Sequence, residues 1–136
     1  LVESNRAFRR MLVERWLASA EGGRGPLGVV GTSFRPGFNE MRCSLALDFI
    51  RAAREQGVDV LLSDPQFDGL SETDYKLACR QDEELLSLRG FFTPLRDLWK
   101  RSKGIFLNRR LDPSELAQIE GLPRPPLVDV YENFAT

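Results

Sequence analysis

The feature that most constrains this fold is a pair of short apolar segments separated by an amphipathic helical pattern. The first segment is Leu27–Val30 and the second spans residues 58–62. The apolar residues of the helical pattern between them are Ala46, Phe49, Ile50 and Ala53. Gly57 follows where a helix-terminating glycine belongs. Short strands without a polar face are typical of parallel sheets covered by helices on both sides. The pattern therefore predicts a βαβ unit with a right-handed crossover.

The rest of the chain repeats this alternation more loosely. Phe8, Met11, Leu12 and Trp16 recur at helical spacing near the start, where Ser4 or Asn5 could cap the helix. Further helices are predicted over residues 75–88, 94–101 and Pro113–Ile119, and strands over residues 90–92, 105–107 and 127–131. Such alternation predicts an α/β fold, a Rossmann-like three-layer sandwich with a mostly parallel sheet, preceded by an N-terminal helix.

Composition excludes several classes of protein. A length of 136 residues fits one domain, and a net charge of -1 gives no general attraction for nucleic acid or an anionic membrane. The sequence has no histidine, which excludes His-dependent catalytic triads, and its two cysteines cannot make a disulfide framework. No apolar run approaches the roughly 20 residues of a membrane span, and no signal peptide opens the chain. We therefore expect a cytoplasmic protein without nucleic-acid or membrane partners.

The loop after the first predicted strand, residues 32–42, carries the candidate chemistry. Ligands of open parallel sheets bind beyond the carboxyl ends of the strands, so this loop is the first place to look. It lacks the G-x-G-x-x-G pattern of dinucleotide-binding loops and instead has Arg35 and Arg42 on either side of a Pro-Gly turn. Arg42 precedes a predicted helix N-terminus, where a cation is disfavoured. Either an ion pair with Glu40 or Asp48, or a bound anion, could offset this.

A resemblance to a known family becomes specific at this loop. Residues 29–44 read VVGTSFRPGFNEMRCS, and the run resembles the nucleotide-sugar 6-dehydrogenases, that is, the UDP-glucose/GDP-mannose dehydrogenase family. The family pattern is an apolar strand, glycine, Phe-Lys, a Pro-Gly-like turn, acidic residues, arginine and serine. The following helix, Gly57 and the Asp64-Pro65 pair also match, and residues 2–6 resemble the end of the family's central helix. The match covers residues 1–65; beyond them only the order of elements agrees.

The resemblance implies a division of labour. Residues 1–25 would be the end of the central linking helix and a linker, and residues 26–136 the C-terminal UDP-binding domain. Phe34, Arg35 and Arg42 would contact the nucleotide sugar, most simply a UDP-sugar. The family's catalytic cysteine and its NAD-binding loop lie in N-terminal and central domains that this chain lacks. We therefore expect an inactive fragment that binds no NAD, from a homodimeric parent that oxidises the sugar C6 alcohol to a carboxylate with NAD.

Departures from the family pattern keep other hypotheses open. Phe38, Asn39 and Cys43 replace a common threonine, carboxylate and glutamate. The late motif reads DVYEN over residues 129–133 and lacks its arginine, while Asn108-Arg109-Arg110 replaces a Thr-acid pair. The alternative is a degenerate, non-catalytic Rossmann-like interaction or scaffold module. A receiver or flavodoxin-like domain is a third hypothesis, although the acidic cluster that a receiver needs for magnesium is missing.

The remaining polar and aromatic candidates have simpler interpretations. Cys43 near a helix N-terminus lacks a base, and we expect Cys79 to be a small buried residue. Arg109 and Arg110 could neutralise a phosphate, but a solvated loop is favoured. We expect Trp16 and Trp99 to be core or interface residues. The acidic run at residues 82–84 is predicted to be an exposed helix face, and Asp64 is predicted to cap a turn.

Overall fold

A computed structural model describes residues 2–20, 25–32, 45–79 and 82–134 of the chain. Within these ranges four strands form one sheet: β1 (Leu27–Val30), β2 (Val60–Ser63), β3 (Gly104–Leu107) and β4 (Leu127–Asp129). All pairs are parallel, and the order across the sheet is β2-β1-β3-β4. Leu27 is in register with Val60 on one side and with Gly104 on the other, so β1 and β3 are the central strands.

Six helices and one 3-10 turn accompany the sheet in the described part of the chain. The helices are α1 (Val2–Ala18), α2 (Leu45–Glu55), α3 (Glu72–Cys79), α4 (Glu83–Ser87), α5 (Leu95–Arg101) and α6 (Pro113–Ile119), and the 3-10 turn is Arg89–Phe91. Helix α6 begins at a capping box, in which Asp112 accepts from the Glu115 amide and the Glu115 side chain accepts from the Asp112 amide. Pro113 at the first turn suits this helix start because its missing N–H has no partner to lose there.

Two buried layers lie on opposite faces of the sheet because side chains alternate along each strand. On β1, Val29 joins the layer formed with α1 to α4, whereas Val30 joins the layer formed with α5 and α6. On β3, Phe106 belongs to the first layer and its neighbours Ile105 and Leu107 to the second. The predicted α/β architecture, a Rossmann-like sandwich with an N-terminal helix, is confirmed.

Helix α1 is part of this core. Trp16 is fully buried, and its indole N–H donates to the Gly28 carbonyl of β1 at 3.1 Å. Phe8 and Met11 are exposed, however, so only part of the predicted apolar stripe faces the sheet. The predicted caps are also wrong, because the helix already begins at Val2, before Ser4 and Asn5. The predicted division of the chain at residue 25 stays a prediction.

Several predicted boundaries differ from the structure. The helix predicted over residues 75–88 is two helices, because the Asp82 side chain accepts from the Leu85 amide and starts α4 anew. The strand predicted over residues 90–92 is wrong: this segment is the 3-10 turn, and Phe92 makes only an isolated bridge to Leu62. Strand β2 begins two residues after its predicted start at residue 58, because the Val58 amide still caps α2 by donating to the Ala53 carbonyl. Strand β4 ends at Asp129, short of residue 131.

Candidate binding site at the carboxyl edge of the sheet

The strand order places a crevice between β1 and β3. The chain leaves β1 towards β2 on one side and leaves β3 towards β4 on the other, so the direction of the connections reverses between the two central strands. Open parallel sheets bind ligands at this reversal, outside the carboxyl ends of the strands. The Asn108 amide donates to the Val30 carbonyl at 2.8 Å, and the Gly31 amide to the Ser63 carbonyl at 2.8 Å. The loops after β1, β2 and β3 therefore start from one rigid edge.

The residues predicted to bind the nucleotide sugar, Phe34, Arg35 and Arg42, lie outside the described residues, and so does Cys43. The described part of the loop that holds them ends at Thr32. One suggested partner of Arg42 can be located. Asp48 on α2 forms an ion pair with Arg9 of α1, whose Nε donates at 2.6 Å. An ion pair between Arg42 and Asp48 would therefore have to share a carboxylate that already joins two helices.

Asp64 joins the ends of β1 and β2. Its Oδ1 accepts from the Gln66 amide at 3.0 Å, which confirms the prediction that Asp64 caps a turn. Its Oδ2 accepts from both the amide and the hydroxyl of Thr32, at 3.0 and 2.6 Å. Since Asp64 and Thr32 are both buried, these bonds fix the point from which the loop after β1 departs.

Arg109 lies across the start of the same loop. Gly31 has a φ of +86°, and a Cβ there would stand 2.7 Å from the Arg109 Cγ, so the arginine stem runs directly over the glycine backbone. The guanidinium pairs with Glu115, which is only 5% exposed. Arg110 is exposed, as predicted for a solvated loop, whereas Arg109 is half-buried and ion-paired. Sequence reasoning missed the Glu115 partner because the two residues belong to different elements.

Asn133 ties the ends of β3 and β4 together. Its Nδ2 donates to the Arg109 carbonyl at 3.0 Å and to Asp129 Oδ1 at 3.1 Å, and its Oδ1 accepts from the Leu111 amide at 2.8 Å. Residues 129–133 are the segment in which the resemblance leads one to expect an arginine. Here the segment holds the backbone of Arg109 in place.

A pocket of about 420 Å³ opens beside the crevice, between the loop after β2 and the starts of α5 and α6. Its polar lining includes three carboxylates, those of Asp68, Asp112 and Glu115, next to apolar Phe92 and Leu95. Partial burial of its carboxyl group raises the pKa of Asp68, although the residue as a whole is exposed. The pKa of Asp112 is lowered instead, because the Glu115 amide donates to its carboxylate. Because Glu115 is paired with Arg109, the uncompensated negative charge of this wall is that of Asp68 and Asp112, which suits hydroxyl or ammonium groups better than a phosphate.

A larger pocket of about 560 Å³ lies along α6 rather than at the crevice. Apolar side chains dominate its lining, and Arg124 at its rim stacks on Phe134, 4.3 Å from the ring centroid. In open parallel sheets the ligand-binding site lies at the strand reversal, whichever pocket is larger. The crevice is therefore the candidate site. In the described ranges, no group of three or more Cys, Asp or Glu side chains is arranged to bind a metal ion.

Other predicted positions are confirmed as structural. Trp16 and Trp99 are both core residues, with 0% and 3% exposure. Cys79, the last residue of α3, is buried, and burial raises the pKa of its thiol. The exposed helix face predicted for the acidic run at residues 82–84 is only partly right. Glu83 is exposed, but Asp82 and Glu84 are half-buried, and Glu84 accepts two hydrogen bonds from Arg51, at 2.8 and 2.6 Å.

Comparisons with known proteins add no family to this description. No family model matches the chain, and neither the curated proteins nor the solved structures include a match. Across the described helices, none combines the length and the apolar character needed to cross a membrane.

Proposed function

We propose that this domain binds a nucleotide sugar, most simply a UDP-sugar, in the crevice between β1 and β3. It would be the C-terminal nucleotide-sugar-binding domain of an NAD-dependent UDP-glucose/GDP-mannose 6-dehydrogenase. The observation that carries the proposal is the strand order β2-β1-β3-β4, because it makes the motif-bearing loop after β1 start at the reversal where such sheets bind ligands.

The residue types of that loop fit the proposed ligand. Arg35 and Arg42 supply two cations for a diphosphate, and a guanidinium offers a planar fork of donors that matches phosphate oxygens. Phe34 supplies a face on which a base or ribose can pack. The acidic pocket beside the crevice suits the hydroxyl-rich sugar better than the phosphates.

The same edge does not fit a dinucleotide. A dinucleotide-binding loop points its glycine-rich backbone amides at the pyrophosphate, but the Thr32 amide donates to Asp64 at 3.0 Å, and Phe34-Arg35-Pro36 follow where glycines would be needed. We therefore assign NAD, the catalytic cysteine and the oxidation at the sugar C6 to other domains of the parent enzyme. This chain alone is then a binding domain without turnover.

Titration calorimetry with UDP, GDP and dTDP tests the proposal. We expect weak binding that favours UDP, because one wall of a shared pocket binds poorly when isolated. Arg35→Ala should lower the affinity about tenfold to hundredfold, the loss of one charge-assisted hydrogen bond, and leave the melting temperature unchanged. Arg42→Ala removes the second arginine of the loop. A lower affinity would support a contact between Arg42 and the ligand, whereas a lower stability with unchanged affinity would show that Arg42 forms only a local ion pair.

The acidic pocket favours a second candidate, a non-catalytic interaction or scaffold module. Asp68 and Asp112, beside the ion-paired Glu115, give this pocket a negative wall that a nucleotide-binding domain must overcome. Calorimetry separates the two functions, since no heat from any of the three nucleotides at millimolar concentration would replace the nucleotide-sugar proposal with this one.

A further inference from the structure

We propose that Arg109 is a pre-positioned phosphate contact in the crevice between β1 and β3, and that Glu115 is the positioning residue that aims its guanidinium. This inference rests on the proposed nucleotide function and adds to it a residue that neither the loop motif nor the family resemblance assigns. The ligand class is a phosphate or diphosphate group.

The first support is the place of Arg109 in the fold. It follows β3 by two residues, and the neighbouring Asn108 is bonded to Val30 of β1 at 2.8 Å. Its stem covers Gly31, where even a methyl group would stand 2.7 Å from the arginine Cγ. The glycine thus leaves room for one long cationic side chain at the point where the motif-bearing loop begins.

The second support is that the side chain is held. Glu115 accepts from the Asp112 amide at 3.1 Å through Oε1 and pairs with Arg109 through Oε2, so its carboxylate has a fixed orientation. Asn133 holds the Arg109 backbone by donating to its carbonyl at 3.0 Å. A flexible loop arginine must lose rotamer freedom on binding, whereas this one has already lost it.

The third support is the remaining capacity of the guanidinium. The bond to Glu115 involves one terminal nitrogen of a group with five N–H donors, and 31% of the arginine side chain is exposed. Asp64 directly follows β2 and Asp129 ends β4, and both of these carboxylates are also occupied. Asp64 accepts from Thr32 and Gln66, and Asp129 accepts from Asn133 and the Phe134 amide. These donors weaken the repulsion that the two carboxylates exert on an incoming anion.

The test compares UDP, uridine and pyrophosphate in titrations of the whole chain. Arg109→Gln should lower the affinity for UDP and for pyrophosphate about tenfold to hundredfold, and leave the weak uridine affinity unchanged. Arg110→Gln is the matched control, because it removes the same charge from the exposed neighbour, and it should change UDP affinity less than about twofold. Glu115→Gln keeps an acceptor for the Asp112 amide and should weaken UDP binding, again without an effect on uridine.

A double variant protects the test against misfolding. Arg109→Gln alone leaves the buried Glu115 without its cation, so Arg109→Gln/Glu115→Gln removes both charges and should restore the melting temperature while phosphate affinity stays low. Unchanged UDP affinity in Arg109→Gln would overturn the inference and leave the nucleotide function standing. Binding of pyrophosphate alone, lost in Arg109→Gln, would uphold Arg109 and reject the nucleotide. If the wild type binds neither UDP nor pyrophosphate, the nucleotide function and the role of Arg109 are both rejected.

Discussion

Trp16 provides a quantitative test of whether α1 belongs to the domain core. Its side chain is fully buried, its ring centroid lies 5.0 Å from that of Phe49, and its indole N–H donates to Gly28 at 3.1 Å. Trp16→Ala removes this contact area and opens a cavity beneath the sheet, which costs about 3–5 kcal/mol. A domain of 136 residues has a total stability of about 7–20 kcal/mol, so this single change removes a large share of it.

Trp16→Phe separates the two parts of this effect. It retains most of the ring packing but leaves the Gly28 carbonyl without the indole donor, which costs about 1–3 kcal/mol. Phe8→Ala is the matched control on the same helix, because Phe8 is 52% exposed and its loss should cost less than about 0.5 kcal/mol.

Urea unfolding followed by circular dichroism measures these differences directly. We expect the order wild type, Phe8→Ala, Trp16→Phe and Trp16→Ala, from the most to the least stable, with Phe8→Ala close to wild type. Equal midpoints for Trp16→Ala and Phe8→Ala would refute the reasoning, since α1 would then not be packed on the sheet.

Three further predictions concern titratable side chains. Because the pKa of Asp112 is lowered in the fold, its stabilising contribution is present at neutral pH and lost as the pH falls below about 4, so the gap in urea midpoint between wild type and Asp112→Ala should shrink there. The pKa of Asp68 is raised, so ionisation of this carboxyl group destabilises the folded state as the pH rises. Asp68→Asn should therefore gain stability relative to wild type between about pH 3 and 7. A constant midpoint difference across this range would contradict either assignment. In Cys43→Ser, the buried Cys79 thiol should react with a disulfide reagent only after unfolding, and rapid labelling of the folded chain would contradict its burial.

Local patterns in the sequence were sufficient for much of the fold. The apolar run Leu27–Val30 and the helix Pro113–Ile119 match their predicted bounds because each is set by short-range chemistry: an apolar strand before a glycine, and an Asp-Pro helix start. The helix predicted over residues 75–88 failed where the Asp82 side chain competes for the backbone amides of a new helix. An acidic residue in a helical pattern does not show whether it will be exposed or become a cap.

The candidate site was less accessible to sequence reasoning. Position in the chain indicated the loop after β1, but the neighbour of that loop depends on strand order, which no local pattern specifies. The contact of Arg109 with Gly31 and its pairing with Glu115 arise only when β3 lies beside β1. The signal available in the sequence was the glycine directly after the strand, since a glycine there can indicate that another group approaches the backbone closely.

The most direct test of the proposed site is an amide chemical-shift titration of the ¹⁵N-labelled chain with a UDP-sugar. We expect the shift changes to concentrate at the carboxyl edge, at Gly31, Thr32, Asn108 and Arg109, while the amide signals of Leu27, Val60 and Gly104 at the opposite ends of the strands do not move. The changes should saturate together with one affinity. Saturable changes centred on the amino ends of the strands, or no changes at millimolar ligand, would contradict the proposed site.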